Sequence, residues 1–153
     1  MYVMKRIRGA GLVKINGGYA FMHRLNVKPS ENPNKPYGEY YVFPGGGLEE
    51  NETIEQCVER EILEELGIVV KAVKKLYTRI TPDGNLEEYV YLCDYISGEF
   101  GTGSGPEFSN DPKYANRGEY IPTIVKREDI KNIRLIPEEN KEKLVADIEN
   151  GIV

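Results

Sequence analysis

The sequence predicts an α/β fold in which a mixed sheet is sandwiched between helices. Three observations carry this. Strand-forming segments dominate the chain from its start to about residue 126. Only two stretches, 53–66 and 137–150, have helical spacing, one central and one terminal. The 153 residues, 40% of them hydrophobic, suit one domain with a sizeable core, and the whole span 1–153 is assigned to it.

Residues 5–15 and 19–25 are rich in strand formers and flank Asn16-Gly17-Gly18, a strong hairpin signal. Residues 27–39 hold three prolines and two asparagines and read as a loop. A short strand over 40–43 ends at Pro44 and three glycines. The helix over 53–66 stops at Gly67. Residues 68–80 and 86–96 are two strands joined by the turn Thr81-Pro82-Asp83-Gly84-Asn85. A long polar loop rich in glycine follows, and loops of that length in a small domain are usually functional or disordered. Its Gly101, Gly103 and Gly105 would permit closure over a substrate. Residues 120–126 resume a strand, in which Pro122 indicates an edge position. The amphipathic stretch 137–150 is a helix closed by Gly151.

A net charge of −5 argues against an electrostatic binder of nucleic-acid polymers, which usually shows a basic face. It leaves open a nucleotide held through a metal ion. Cys57 and Cys93 lie far apart among apolar neighbours and read as reduced, buried thiols. No run approaches the roughly 20 apolar residues of a membrane span, and the first residues lack an apolar signal core. The expectation is a cytoplasmic protein with no membrane partner.

Between Glu49 and Glu65 there are eight glutamates, and Arg60 is the only basic residue among them. Like charges three or four residues apart on a helix repel, by roughly a few tenths of a kcal/mol per pair. Ile54, Val58, Ile62 and Leu66 form an apolar stripe, and Glu61, Glu64 and Glu65 converge on an arc that overlaps it. Leu63, on another side, predicts packing on a second face. Three carboxylates beside buried surface must protonate, pair or bind a cation. Hard oxygen ligands suit Mg²⁺ or Mn²⁺. A solvated acidic face is the competing reading. Against it stands Pro44-Gly45-Gly46-Gly47, where backbone can approach a ligand with no side chain in the way. No Gly-Lys-Ser/Thr follows these glycines and no G-x-G-x-x-G is present, so neither phosphate-loop motif accounts for them.

Read with spacings, the stretch is Gly46, five residues, Glu52, seven residues, then Arg60-Glu61-Ile62-Leu63-Glu64-Glu65-Leu66-Gly67-Ile68. This resembles the Nudix box at every defined position. The resemblance implies a Nudix-like α/β/α sandwich with a mixed central sheet. It implies hydrolysis of a pyrophosphate bond in a nucleoside diphosphate linked to another moiety, with Mg²⁺ as cofactor and Mn²⁺ as the alternative. By position, Glu64 and Glu65 correspond to principal metal ligands, Glu61 to a further ligand or a general base, and the backbone near Gly45 or Gly46 to another ligand. Arg60 and Glu52 correspond to a supporting ion pair.

Many members recruit one more acid from outside the box, for which Glu107 and Glu119 are the candidates. Arg24, in the second strand, could reach a phosphate or be an exposed strand-end residue. His23, the only histidine, reads as structural or exposed. Tyr37, Tyr40 and Tyr41 could stack on a base, although one of the last two should be core because strand neighbours face opposite sides. The expected substrate is a small nucleotide. A nucleoside triphosphate, oxidised forms included, is preferred on size, ahead of ADP-ribose or a nucleotide sugar. A domain that senses a nucleotide without cutting it is the non-catalytic alternative, though all four box acids are present. A homodimer is the assembly the resemblance implies, since many members are dimeric, but no residue here points to it.

Overall fold

Asn16 and Gly17 adopt φ of 50° and 79°, as a two-residue hairpin turn requires. They reverse the chain between β1 (Arg6–Ile15) and β2 (Gly18–Val27). The computed structural model describes residues 5–105 and 117–153. Their remaining strands are β3 (Gly38–Val42), β4 (Gly45–Gly47), β5 (Ile68–Ile80), β6 (Leu86–Gly98), β7 (Glu119–Lys126) and β8 (Leu135–Ile136). The path through the sheet is β5-β6-β1-β2-β3-β8, with β4 bonded to β1 and β7 to β2. β1 runs parallel to β6 and β3 parallel to β8, while the other pairs are antiparallel, so the sheet is mixed.

Alternation along β1 and β2 sorts the core into two layers. Val13, Ala20 and Met22 face α1 (Ile54–Leu66), where Val58, Ile62 and Leu66 are fully buried with Ile68, Val70 and Cys93. Leu12 and Phe21 face the other way, into a cluster with Phe43, Tyr77, Val90, Ile130, Leu135 and Leu144. Leu144 comes from α2 (Glu138–Glu149). A helix therefore covers each face, the α/β/α arrangement expected. Each buried aliphatic on α1 contributes roughly 1.5–3 kcal/mol through surface removed from water.

Local chemistry fixes the ends of α1. Thr53 accepts from the Gln56 N–H at 3.1 Å and the Gln56 side chain accepts from the Thr53 N–H at 2.9 Å, a reciprocal capping box. Gly67, at φ 75°, closes the helix by donating to the Leu63 carbonyl. Among the described residues β7 bonds only to β2, which puts Pro122 on an edge.

Two expectations need correction. The glycines after Pro44 do not simply end a strand. They form β4, whose Gly45, Gly46 and Gly47 pair with Ala10, Gly9 and Arg8. Leu63 packs on no second face, being 49% exposed. The start of the glycine-rich loop is tied down, with Gly101 donating to the Leu66 carbonyl and Gly105 to that of Glu64, both at 2.9 Å. A 3₁₀ turn over Arg127–Asn132 and the two-residue β8 carry no local signal in the sequence. No described helix is long and apolar enough to cross a membrane.

Candidate active site

β4 runs alongside α1, which brings the glycines against the acids. A Cβ added at Gly46 would collide with the Glu61 carboxylate, so only glycine allows this approach. The Gly46 carbonyl accepts from Cys57 Sγ at 3.4 Å, and the Gly45 N–H donates to Glu65 Oε2 at 3.2 Å. Arg60 ties the rest together. Its Nε and Nη2 donate to the two oxygens of Glu52 at 2.6 and 3.0 Å, and Nη2 also reaches the Gly47 carbonyl at 3.0 Å. Its Nη1 donates to Glu61 at 3.0 Å and Glu64 at 3.2 Å.

The two flanking acids are shifted in opposite directions. Burial raises the Glu61 carboxyl above the ordinary range, and the Arg60 charge only partly opposes this. The Arg60 hydrogen bonds hold Glu52 below it. Burial likewise pushes the Cys57 thiol up to about 11.

Gly45, Gly46, Glu61, Glu64 and Glu65 line one side of a cavity of about 310 Å³. Arg8, Arg24 and Tyr120 also line it. A larger cleft of about 690 Å³ adjoins it, sharing Arg8, Arg24, Val42 and Phe43. Acidic oxygens and guanidinium groups thus share one concave space, which suits a polyanion bridged to the protein through a cation.

Among the described residues, no three acidic side chains already surround a single point as metal ligands. Arg60 accounts for this, because it draws Glu61 and Glu64 onto its own N–H groups. The donor set nonetheless fits a hard divalent ion. It consists of carboxylate and backbone oxygens, and one of the carboxylates is held against backbone that carries no side chain.

Arg24 is not a bare strand-end residue. Its guanidinium lies 3.6 Å from the Tyr120 ring centre, and it donates to the Arg117 carbonyl. Tyr40 is the core member of its pair at 5% exposure, and Tyr41 stacks on His23 at 4.1 Å. His23 also meets Glu39 at 2.7 Å. Glu119 lies exposed on β7 opposite Leu25 and lines neither cavity, and Glu107 falls outside the described residues. Sequence reasoning missed Arg8, which reaches both cavities and bonds to the buried Glu88 at 2.9 Å. The available signal was the Arg6-x-Arg8 spacing, which puts two cations on one face of a strand.

The NUDIX domain family model matches residues 5–137. An ADP-ribose pyrophosphatase from Methanocaldococcus jannaschii is 34% identical over 92 residues, covering 54% of each chain. An 8-oxo-dGTP diphosphatase from Proteus vulgaris is 50% identical over 46 residues, covering 29% of this chain and 41% of that protein. A NAD-capped RNA hydrolase from Haemophilus influenzae is 32% identical over 77 residues, covering 50% of this chain and 29% of that one. The matches thus span about half the length of the first relative and less of the others. Among solved structures, a NUDIX hydrolase from Nitrosomonas europaea superimposes with a TM-score of 0.67 at 15% identity, over 97% of this chain and 73% of that one. A MutT NUDIX hydrolase from Burkholderia pseudomallei gives 0.64 at 21% identity, over 92% and 96%. At these identities the superpositions speak for the fold. The family match, spanning most of the chain and containing the whole acidic constellation, settles the lineage: this chain belongs to the Nudix family.

Proposed function

We propose that the chain hydrolyses the pyrophosphate bond of a nucleoside diphosphate linked to a second moiety, with a divalent cation. The observation that carries this reading is the shared cavity, with Glu61, Glu64, Glu65 and Gly46 joined in its lining by Arg8 and Arg24. Glu64, Glu65 and the Gly46 carbonyl would hold Mg²⁺, or Mn²⁺ in its place. Such an ion screens phosphate charge and makes water a better nucleophile. Arg8 and Arg24 bind phosphate oxygens. Water adds at phosphorus, the bridging P–O bond breaks, and the water's proton passes to a carboxylate. Glu61 suits that role because burial raises its proton affinity. Arg60, fixed by Glu52, positions Glu61 and Glu64. Glu119, which lies off the cavity, is given no part.

Three substrate classes appear in the relatives' names, an oxidised nucleoside triphosphate, ADP-ribose and NAD-capped RNA. The longer match and the size of the adjoining cleft favour the second over the triphosphate preferred on chain length. The test is product release with Mg²⁺ and a coupled phosphatase. The panel holds normal and oxidised nucleoside triphosphates, ADP-ribose, sugar nucleotides and dinucleoside polyphosphates. Turnover of at least one compound is expected. Tight binding with no turnover across the panel would support a nucleotide sensor instead.

A further inference from the structure

The 690 Å³ cleft is far more basic than a chain of net charge −5 suggests. Five cationic side chains line it, Arg8, Arg24, Lys35, Arg79 and Arg134, against a single carboxylate, Glu88. Glu88 is buried and shared, 2.9 Å from Arg8 Nε and 3.5 Å from Arg79 Nε. Its one charge offsets one of those two. Arg79 has one more acid at hand, Glu139 at 3.9 Å outside the cleft. Lys35 is exposed, and neither it nor Arg134 or Arg24 has a carboxylate at ion-pair distance among the described residues.

These cations are aimed. Arg24 and Arg134 lie 5.6 and 5.7 Å from the Tyr40 ring centre, and Arg134 is fixed there by the Tyr37 and Glu39 carbonyls at 3.0 and 3.2 Å. Nε of Arg24 is buried and makes no hydrogen bond among the described residues, and Nε of Arg79 has only the Glu88 and Glu139 carboxylates, at 3.5 and 3.9 Å. Buried donors normally have partners, so the bare Nε of Arg24 and the loosely paired Nε of Arg79 leave room for further acceptors.

Under the hydrolase reading, on which this inference rests, the pyrophosphate already has Arg8, Arg24 and a cation in the smaller cavity. Lys35, Arg79 and Arg134 line only the larger cleft. We propose that they receive a second anionic group, so that the natural substrate is a pyrophosphate-linked nucleotide whose cleft-bound moiety itself carries a phosphate or carboxylate. A neutral base or sugar would leave these cations unmatched, whereas a phosphate or carboxylate can accept from guanidinium in charge-assisted, bidentate pairs.

Matched pairs test this. ADP-ribose against its 2′-phosphate places the extra charge on the nucleoside, and UDP-glucose against UDP-glucuronate places it on the sugar. Equilibrium binding is measured by calorimetry with Ca²⁺, which takes the same oxygen ligands, and turnover is measured separately with Mg²⁺. The charged member of at least one pair should bind about tenfold or more tightly, through charge-assisted contacts. Arg134→Gln should erase that preference. Lys35→Gln, at an exposed position where folding is not at stake, should reduce it about threefold, as loss of one surface cation does. Both variants should weaken the charged member by more than the uncharged one. Equal binding within both pairs overturns the proposal, as does a preference that survives both substitutions, or no binding by any of the four. A preference with no turnover of these four, or of any compound in the wider panel, upholds the proposal and sinks the hydrolase reading. Turnover without preference does the reverse.

Discussion

Arg60 and Glu52 form a two-point ion pair, with Nε and Nη2 of the arginine on the two carboxylate oxygens at 2.6 and 3.0 Å. The pair spans from the loop after β4 to the middle of α1, and the same guanidinium reaches Glu61 and Glu64. A lysine supplies the charge without the fork. Arg60→Lys should therefore cost about 1.5–3 kcal/mol, the range for hydrogen bonds to charged groups. Urea unfolding checks this. Turnover should fall with it, because Glu61 and Glu64 lose their common anchor.

The same pair sets an acid limb of stability. Glu52 titrates below its unfolded value because Arg60 stabilises the carboxylate. Its contribution is therefore fully present above the ordinary glutamate range and is lost as pH falls through the lowered folded value. Unfolding free energy measured from neutral to acid pH should decline over that window, and Glu52→Gln should flatten the decline.

Gly46→Ala isolates the close approach between β4 and α1. The new methyl group would meet the Glu61 carboxyl, the movable end of a side chain, so the fold should survive while the acid is displaced. Turnover should drop by about two orders of magnitude, the scale of misplacing a catalytic group, with a small change in melting temperature. Gly45→Ala contrasts with it, because the methyl group there meets the backbone of Gly9 and Ala10 and should weaken the sheet itself.

Gly103 tests the far end of α1. A side chain there would collide with the carbonyls of Glu64 and Glu65, which the loop must approach for Gly105 to cap Glu64. Gly103→Ala should shift the two acids, and Mg²⁺ should be needed at higher concentration for half-maximal rate.

Cys57 lies beside this machinery but should be inert. With the thiol pushed up to about 11, only about one molecule in a thousand carries the reactive thiolate at pH 8. Iodoacetamide should label neither Cys57 nor the equally buried Cys93 until denaturant is added. Mass spectrometry of the treated protein reads the result.

Features with local causes were legible in the sequence. The Asn16-Gly17 turn, the Thr53 start and the Gly67 stop depend on backbone conformations that only certain residues adopt. The convergence of Glu61, Glu64 and Glu65 follows from helical spacing alone. What depends on tertiary pairing was not legible. Three glycines have no strand propensity, and β4 forms through its pairing with β1, at positions where Gly45 meets the β1 backbone and Gly46 the Glu61 carboxylate. Leu63 was misread because an apolar residue on a helix can be tolerated on the surface. The basic cleft was invisible because Lys35, Arg79 and Arg134 come from distant segments that only the folded sheet brings together.

The central claim is that the glutamate cluster holds a cation that holds a pyrophosphate. Its most direct test pairs two readouts on Glu64→Gln and wild type, Mn²⁺ affinity by electron paramagnetic resonance and the Mg²⁺-dependent rate on the best substrate of the panel. The account predicts weaker Mn²⁺ binding together with a rate lower by about two or more orders of magnitude, as loss of a metal ligand in a metal-assisted hydrolysis implies. Wild-type Mn²⁺ affinity and wild-type rate in the variant would contradict it.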